Sequence, residues 1–182
     1  MKDLPPLRLV KLHERHTGLT PALAESYTEA AVVCFSRHHK SPVTMSLTHD
    51  STPELRVVHF TAPDVRILNA HRNEIDATEA GAYAVSLAAV EAVAGLVAVR
   101  RADTLTGADW YIAPSGTDSE DLENCIRLEV SGVNAGAASD IKRRVREKLS
   151  QASRGASNLP AMAAVIGFKA LEIVIAPLGD SV

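Results

Sequence analysis

Two acidic residues stand where the side chains of neighbouring β-strands can meet. Asp109 is the second residue of the run ADWYIAP and Glu129 lies inside the run CIRLEVSGV, and both runs have the composition of strands. Strand side chains alternate between the two faces of a sheet, so Glu129 and Ser131 share one face. If the two strands are neighbours, we expect Asp109 and Glu129 to converge on one side of the sheet.

A third acid, Glu79, lies near the start of an Ala-rich helical segment upstream, from which it could approach the same side. Carboxylates gathered in one place raise one another's pKa, and a divalent cation relieves that repulsion. Mg²⁺ prefers hard oxygen ligands, usually one or two carboxylates together with water and substrate phosphate. An ion held in this way activates water and stabilises charge that develops on a phosphorus centre. The pattern therefore points to hydrolysis of phosphate esters.

Each acid also has a structural explanation that the sequence alone leaves open. Glu79 ends the segment Asp76-Ala77-Thr78-Glu79, which has the form of a capping box opened by Asp76. Asp109 follows Gly107 closely, an arrangement typical of a turn. Arg127, two residues before Glu129, could be a purely structural partner of the Glu129 carboxylate.

The elements that must position these acids follow from composition and periodicity. The chain has 182 residues, of which 46% are hydrophobic and 23% are charged, as expected for one globular domain. From Asp76 onward the patterns predict the order α-β-β-β-α-β-β. The predicted helices are 77–94 and 140–151, and the predicted strands are 96–104, 108–114, 125–132, 161–168 and 170–177.

Residues 1–75 are predicted to be an elaboration of the same domain. Residues 1–19 have the composition of an extended arm or short edge strand. Thr20-Pro21 is a helix start signal, and helical spacing of apolar residues continues to about His39. The runs 43–49 and 55–61 then form a hairpin pattern.

Gly107-Ala108-Asp109 on one strand and Glu129-Val130-Ser131 on the next, flanked by helices in this order, resemble the PD-(D/E)XK superfamily of nucleases. The resemblance covers residues 76–177 and implies an α/β protein with a restriction-endonuclease-like αβββαβ(β) core. It implies that Asp109 and Glu129 bind Mg²⁺ or Mn²⁺, and that Glu79 assists them from the leading helix. Gln151 matches a glutamine that some branches carry on the helix after the motif.

Ser131 departs from that pattern, because the superfamily has there the lysine that orients or activates the attacking water. A serine hydroxyl carries no positive charge and cannot replace an ammonium group electrostatically. Lys142 and Lys148, on the following helix, are the substitutes to consider first, and Lys169 is the third. If Lys142 or Lys148 serves, we expect its amino group within hydrogen-bonding or one-water reach of Glu129.

A formal net charge of −3 gives the chain no global positive field, so nucleic acid would have to bind a local basic patch. Helix 140–151 offers one, although a basic helix can also be merely a solvated face. The predicted function is hydrolysis of DNA or RNA phosphodiester bonds by a divalent-metal-dependent nuclease. The alternative, favoured by Ser131 and the net charge, is a catalytically inactive nuclease-like module for binding or assembly. The candidate nucleic-acid contacts are Arg143, Arg144, Arg146 and Gln151.

Cys34 and Cys125 lie far apart inside apolar runs, as reduced core residues do, which favours the cytoplasm. No run reaches the ~18 apolar residues of a membrane span, so no membrane association is expected. The runs 43–61 and 161–177 offer edge strands that need cover, and on that basis we expect a homodimer.

Overall fold

The structure is a computed structural model that describes residues 4–155 and 157–179. The predicted α/β class is confirmed, and the predicted elements lie within a few residues of their expected bounds. A 3-10 turn at Leu12–Glu14 precedes the first helix. The other elements are α1 (Pro21–Ser36), β1 (Val43–His49), β2 (Thr52–Val58), α2 (Val65–Ala70), α3 (Glu74–Ala94), β3 (Leu96–Arg101), β4 (Trp110–Pro114), β5 (Ile126–Val133), α4 (Ala138–Ser153), β6 (Ala161–Gly167) and β7 (Glu172–Pro177).

The seven strands form one mixed sheet in the order β2-β1-β7-β6-β5-β4-β3. β3, β4 and β5 are an antiparallel meander, and β6 lies parallel to β5 because α4 carries the chain back across the sheet. β7 is antiparallel to β6 and parallel to β1. Trp110 pairs with Leu128, so the strands that follow Asp109 and carry Glu129 are neighbours, as expected.

Helices cover both faces of the sheet. α3 packs against β3, β5, β6 and β7 on one face, and α1 packs against α3. Residues 81–90 of α3 are therefore all buried, which explains why this helix is apolar nearly all round. Gly81 permits the close approach of α1, because an added Cβ there would lie 2.9 Å from the backbone of Ala31. On the other face, α4 buries the predicted stripe of Ile141, Val145 and Leu149.

The predicted capping box at the start of α3 is wrong. The helix begins at Glu74, and its N-cap is Asn73, whose Oδ1 accepts hydrogen bonds from the backbone N–H groups of Ile75 and Asp76. Asparagine and aspartate are equally good N-caps, so the sequence offered two start points and the upstream one is used. Asp76 therefore lies inside the first turn, and Glu79 has no capping role.

The sheet edges are β2 and β3, whereas the run 161–177 lies in the interior of the sheet, contrary to expectation. The N-terminal arm covers part of β2, since the N–H of Leu7 donates to the carbonyl of Val57. The outer edge of β3 is partly satisfied by a hydrogen bond at Ala98, whose N–H donates to Nδ1 of His16 at 2.9 Å. Homodimer formation remains a prediction.

Cys34 and Cys125 are buried free thiols that form no disulfide, as predicted for core residues. Burial raises the pKa of the Cys34 thiol to about 11. Within residues 4–155 and 157–179, no helix combines the length and the apolar character needed to cross a membrane. A cytoplasmic location remains a prediction.

The buried His16 should make stability sensitive to acid. Its Nδ1 accepts the Ala98 N–H and its Nε2 lies 3.3 Å from the Glu91 carboxylate, so the ring is neutral with its proton on Nε2. Burial lowers the pKa of His16, and Glu91 opposes that shift only in part. The unfolded chain therefore binds the proton more readily, and stability is lost as the pH falls below about 6.5.

We expect the melting temperature to fall when the pH is lowered from about 7.5 to about 5.5, the range in which an ordinary histidine titrates. His16→Gln should reduce the size of that fall, because the titrating group is gone. His59→Gln, at an exposed histidine, is the matched control and should behave as the wild type does. An equal fall in all three proteins would show that His16 is not responsible.

Candidate metal and nucleic-acid site

A cleft of about 640 Å³ opens where β5 ends, between the first turns of α3 and the helix α4. The α3 side carries two acids, and the α4 side carries three cations together with one acid, Asp140. Ser131 lies on the floor between them. The charged lining residues are Glu74, Glu79, Asp109, Asp140, Arg143, Arg144 and Lys148.

A close contact between α3 and β5 brings Glu79 to this cleft. Gly132 lies directly against Thr78, and an added Cβ at Gly132 would be 2.5 Å from the Thr78 carbonyl oxygen. Only glycine allows this approach, which places the start of α3 beside Ser131. Glu79 follows Thr78 and is exposed at the cleft.

Asp109 is held by the backbone of β5 and by a tyrosine of α3. Its Oδ2 accepts the N–H of Val130 at 2.8 Å, and its backbone N–H donates to the carbonyl of Leu128. Its Oδ1 accepts the Tyr83 hydroxyl at 3.0 Å. Asp109, for which a turn role was the alternative, is thus held against β5 just before β4 begins, and it lines the cleft.

Glu129 is a buried carboxylate with one cationic partner. It is 3% exposed, and Lys148 Nζ of α4 donates to its Oε2 at 3.0 Å. Burial raises the pKa of Glu129, the hydrogen bond from Lys148 opposes the rise, and the nearby charge of Asp109 adds to it. The expected approach of a helix lysine to Glu129 is therefore observed for Lys148, whereas Lys142 is exposed outside the cleft lining.

Arg127, the structural partner considered for Glu129, has a different role. Its side chain is buried and donates to the backbone carbonyls of Thr106, Ala152 and Leu159. These bonds tie β5 to the loop before β4 and to the end of α4. Lys148, not Arg127, is the hydrogen-bonded cation of Glu129.

The site also contains Tyr83 and Arg101, which the sequence did not indicate as functional residues. The Tyr83 hydroxyl lies 3.0 Å from both Glu79 Oε1 and Asp109 Oδ1, and the Arg101 guanidinium donates to its oxygen at 2.9 Å. Tyr83 follows Glu79 by four residues, a spacing that places both on one face of a helix and that could have revealed it. Arg101 could be found only from the register of β3, which pairs it with Trp110.

The four predicted nucleic-acid contacts occupy different surroundings. Arg143 and Arg144 line the cleft and form ion pairs with Glu147 of the same helix at 3.0 and 3.3 Å, and Arg143 also pairs with Asp140 at 3.2 Å. Gln151 accepts a hydrogen bond from Lys148 at 3.3 Å, so it helps to orient the lysine that contacts Glu129. Arg146 is exposed and is not among the residues that line the cleft.

The acids do not form a single cluster. Within the described ranges, no three His, Cys, Asp or Glu side chains are gathered closely enough to hold a metal ion among them. Instead, Glu79 and Asp109 share the Tyr83 hydroxyl, while Glu129 binds Lys148. Asp109 directly precedes β4 and lies near enough to Glu129 of β5 for its charge to raise the Glu129 pKa, and one or two carboxylates are the usual protein contribution to a Mg²⁺ site.

Fold and site together define an α/β protein with a mixed seven-stranded sheet and a cleft lined by acids of α3 and by the charged face of α4. Comparison with models of protein families, with curated proteins and with solved structures found no match for this chain.

Proposed function

We propose that this chain is a divalent-metal-dependent nuclease of the PD-(D/E)XK type, which hydrolyses phosphodiester bonds of DNA or RNA. The proposal is carried by the contact between Lys148 and Glu129 beside Asp109. Through this contact Lys148 brings the positive charge that Ser131 lacks to Glu129 of β5, near Asp109, which directly precedes β4. The order α3-β3-β4-β5-α4-β6, with β5 and β6 parallel, supports a restriction-endonuclease-like core.

Each charged group has a definite task under this proposal. Asp109 and Glu129 would hold Mg²⁺ or Mn²⁺ with assistance from Glu79, and such an ion would supply charge stabilisation and an activated water. The Lys148 ammonium would orient the attacking water and offset charge developing on the phosphate. Arg143 and Arg144, on the α4 side of the cleft, would bind phosphates that flank the cleaved bond.

A second candidate, a catalytically inactive binding or assembly module, is favoured by one feature of the site. The carboxylates already have partners without a metal, since Lys148 binds Glu129 and Tyr83 binds Asp109. An inactive module that binds no metal ion would keep the Lys148–Glu129 and Tyr83–Asp109 hydrogen bonds at all times. Binding of a divalent ion therefore separates the two candidates.

Mg²⁺ or Mn²⁺ is expected to raise the melting temperature. At a metal concentration of about 100 times Kd the folded state gains about 2.7 kcal/mol, which corresponds to about 5–10 °C for a domain of this size. NaCl at equal ionic strength should have a smaller effect. Asp76→Asn, at an exposed acid in the first turn of α3, should keep the shift, and Glu129→Gln should lose it. No shift with either metal would favour the binding module.

A further inference from the structure

The Tyr83 hydroxyl serves two carboxylates with a single proton. Burial, together with the charge of Asp109, raises the pKa of Tyr83, so the hydroxyl stays protonated at neutral pH. It lies 3.0 Å from one oxygen of Glu79 and 3.0 Å from one oxygen of Asp109, and it can donate to only one of them at a time. The other carboxylate oxygen then faces the phenol oxygen with no proton between them, and Arg101 is the cation that lies at this phenol oxygen.

Arg101 holds the phenol in this position. Its guanidinium donates to the hydroxyl oxygen at 2.9 Å and lies 3.6 Å from Asp109 Oδ1. It also stacks over the rings of Tyr83 and Trp110, at 4.5 and 5.1 Å from their centroids. The Tyr83 ring is buried and packs against Tyr27, with 5.1 Å between ring centroids. The hydroxyl is therefore fixed from the ring side and from the oxygen side.

We propose that Tyr83, held by Arg101, is the positioning residue that keeps Glu79 of α3 beside Asp109, where Glu79 can assist Asp109 and Glu129 in binding a divalent cation. This inference rests on the proposed function. Glu79 is exposed, and Tyr83 is the contact that keeps its carboxylate beside Asp109. Loss of an outer-shell partner of this kind lowers metal affinity by about 10- to 100-fold.

Trp110 provides the readout, because it is the single tryptophan of the chain, follows Asp109 directly and lies under Arg101. Its fluorescence is recorded during Mg²⁺ titration of the wild type, Tyr83→Phe and Tyr111→Phe. Tyr83→Phe keeps the buried ring, and we expect it to need at least about tenfold more Mg²⁺ for half-saturation. Tyr111→Phe makes the same change at a tyrosine of a separate buried cluster and is the matched control, which should titrate as the wild type does.

Arg101→Gln tests whether Mg²⁺ affinity depends on the support of Tyr83 or only on the charge near Asp109. It also replaces Tyr83→Phe as the test if that variant does not fold. Removing a positive charge 3.6 Å from Asp109 should by itself tighten Mg²⁺ binding, whereas loss of the support for Tyr83 should weaken it. We expect weaker binding. Equal or tighter binding by Arg101→Gln, or wild-type affinity in a folded Tyr83→Phe, would overturn the inference and leave the proposed function standing. A wild type that responds to Mg²⁺ neither in fluorescence nor in melting would overturn both.

Discussion

Replacing Lys148 with alanine is expected to lower metal-dependent cleavage by about 100-fold or more, the loss typical when a group that stabilises developing charge is removed. The same change should also lower the free energy of unfolding. Glu129 is 3% exposed, and without the ammonium it is left buried with its main hydrogen-bond donor gone. An unsatisfied buried partner of this kind costs about 1–3 kcal/mol.

Lys142→Ala is the matched control for Lys148→Ala. It removes the same charge from the same helix, but Lys142 is exposed and lies outside the cleft lining. Urea denaturation and single-turnover cleavage, measured on both variants, separate the two effects. Cleavage by Lys148→Ala at the wild-type rate would refute the role given to this lysine, whatever the change in stability.

Asp109→Asn should lower cleavage by about 100- to 1,000-fold while leaving the fold nearly unchanged. The amide retains one oxygen for the N–H of Val130, which fixes the side chain to β5. It lacks the negative charge that a hard cation requires. The increase in melting temperature with Mg²⁺ should disappear together with the activity.

The control for Asp109→Asn is Asp76→Asn, which makes the same chemical change at an exposed acid of α3. It should retain both cleavage and the metal-induced rise in melting temperature. If Asp109→Asn also retained them, the ion would have to be held elsewhere and Asp109 would be a structural residue.

The β3-β4-β5 meander and the approach of a lysine of α4 to Glu129 could be predicted from the sequence, because both depend on residues that are close together in the chain. Strand alternation in 108–114 and 125–132, separated by a polar segment, indicates two adjacent strands with their acids near one another. The absence of a positive charge at Ser131 directs attention to the lysines of the next helix. The structure shows that Lys148 is the one that reaches Glu129.

The arrangement around Tyr83 could not be predicted, because it depends on the rotation of α3 about its axis and on strand register. α3 is apolar nearly all round, so periodicity does not reveal which of its residues face the cleft. Asn73 and Asp76 are both good N-caps, which shifted the predicted helix start and gave Glu79 a capping role that it does not have. The separation of the acids into two groups likewise follows from Lys148 and Tyr83, which approach from opposite faces of the sheet.

Metal-dependent phosphodiester hydrolysis is tested most directly by a cleavage assay on circular single-stranded DNA, supercoiled plasmid and single-stranded RNA. The wild type, Asp109→Asn and Ser131→Lys are each compared with Mg²⁺, with Mn²⁺ and with EDTA. A nuclease that uses Lys148 cuts at least one substrate with either metal and stops with EDTA, while Asp109→Asn is slower by about 100-fold or more. Ser131→Lys should then be neutral or harmful, since Lys148 already provides the charge. A wild type that cuts none of the three, together with a Ser131→Lys variant that does, would contradict the proposal and identify an inactive nuclease-like module.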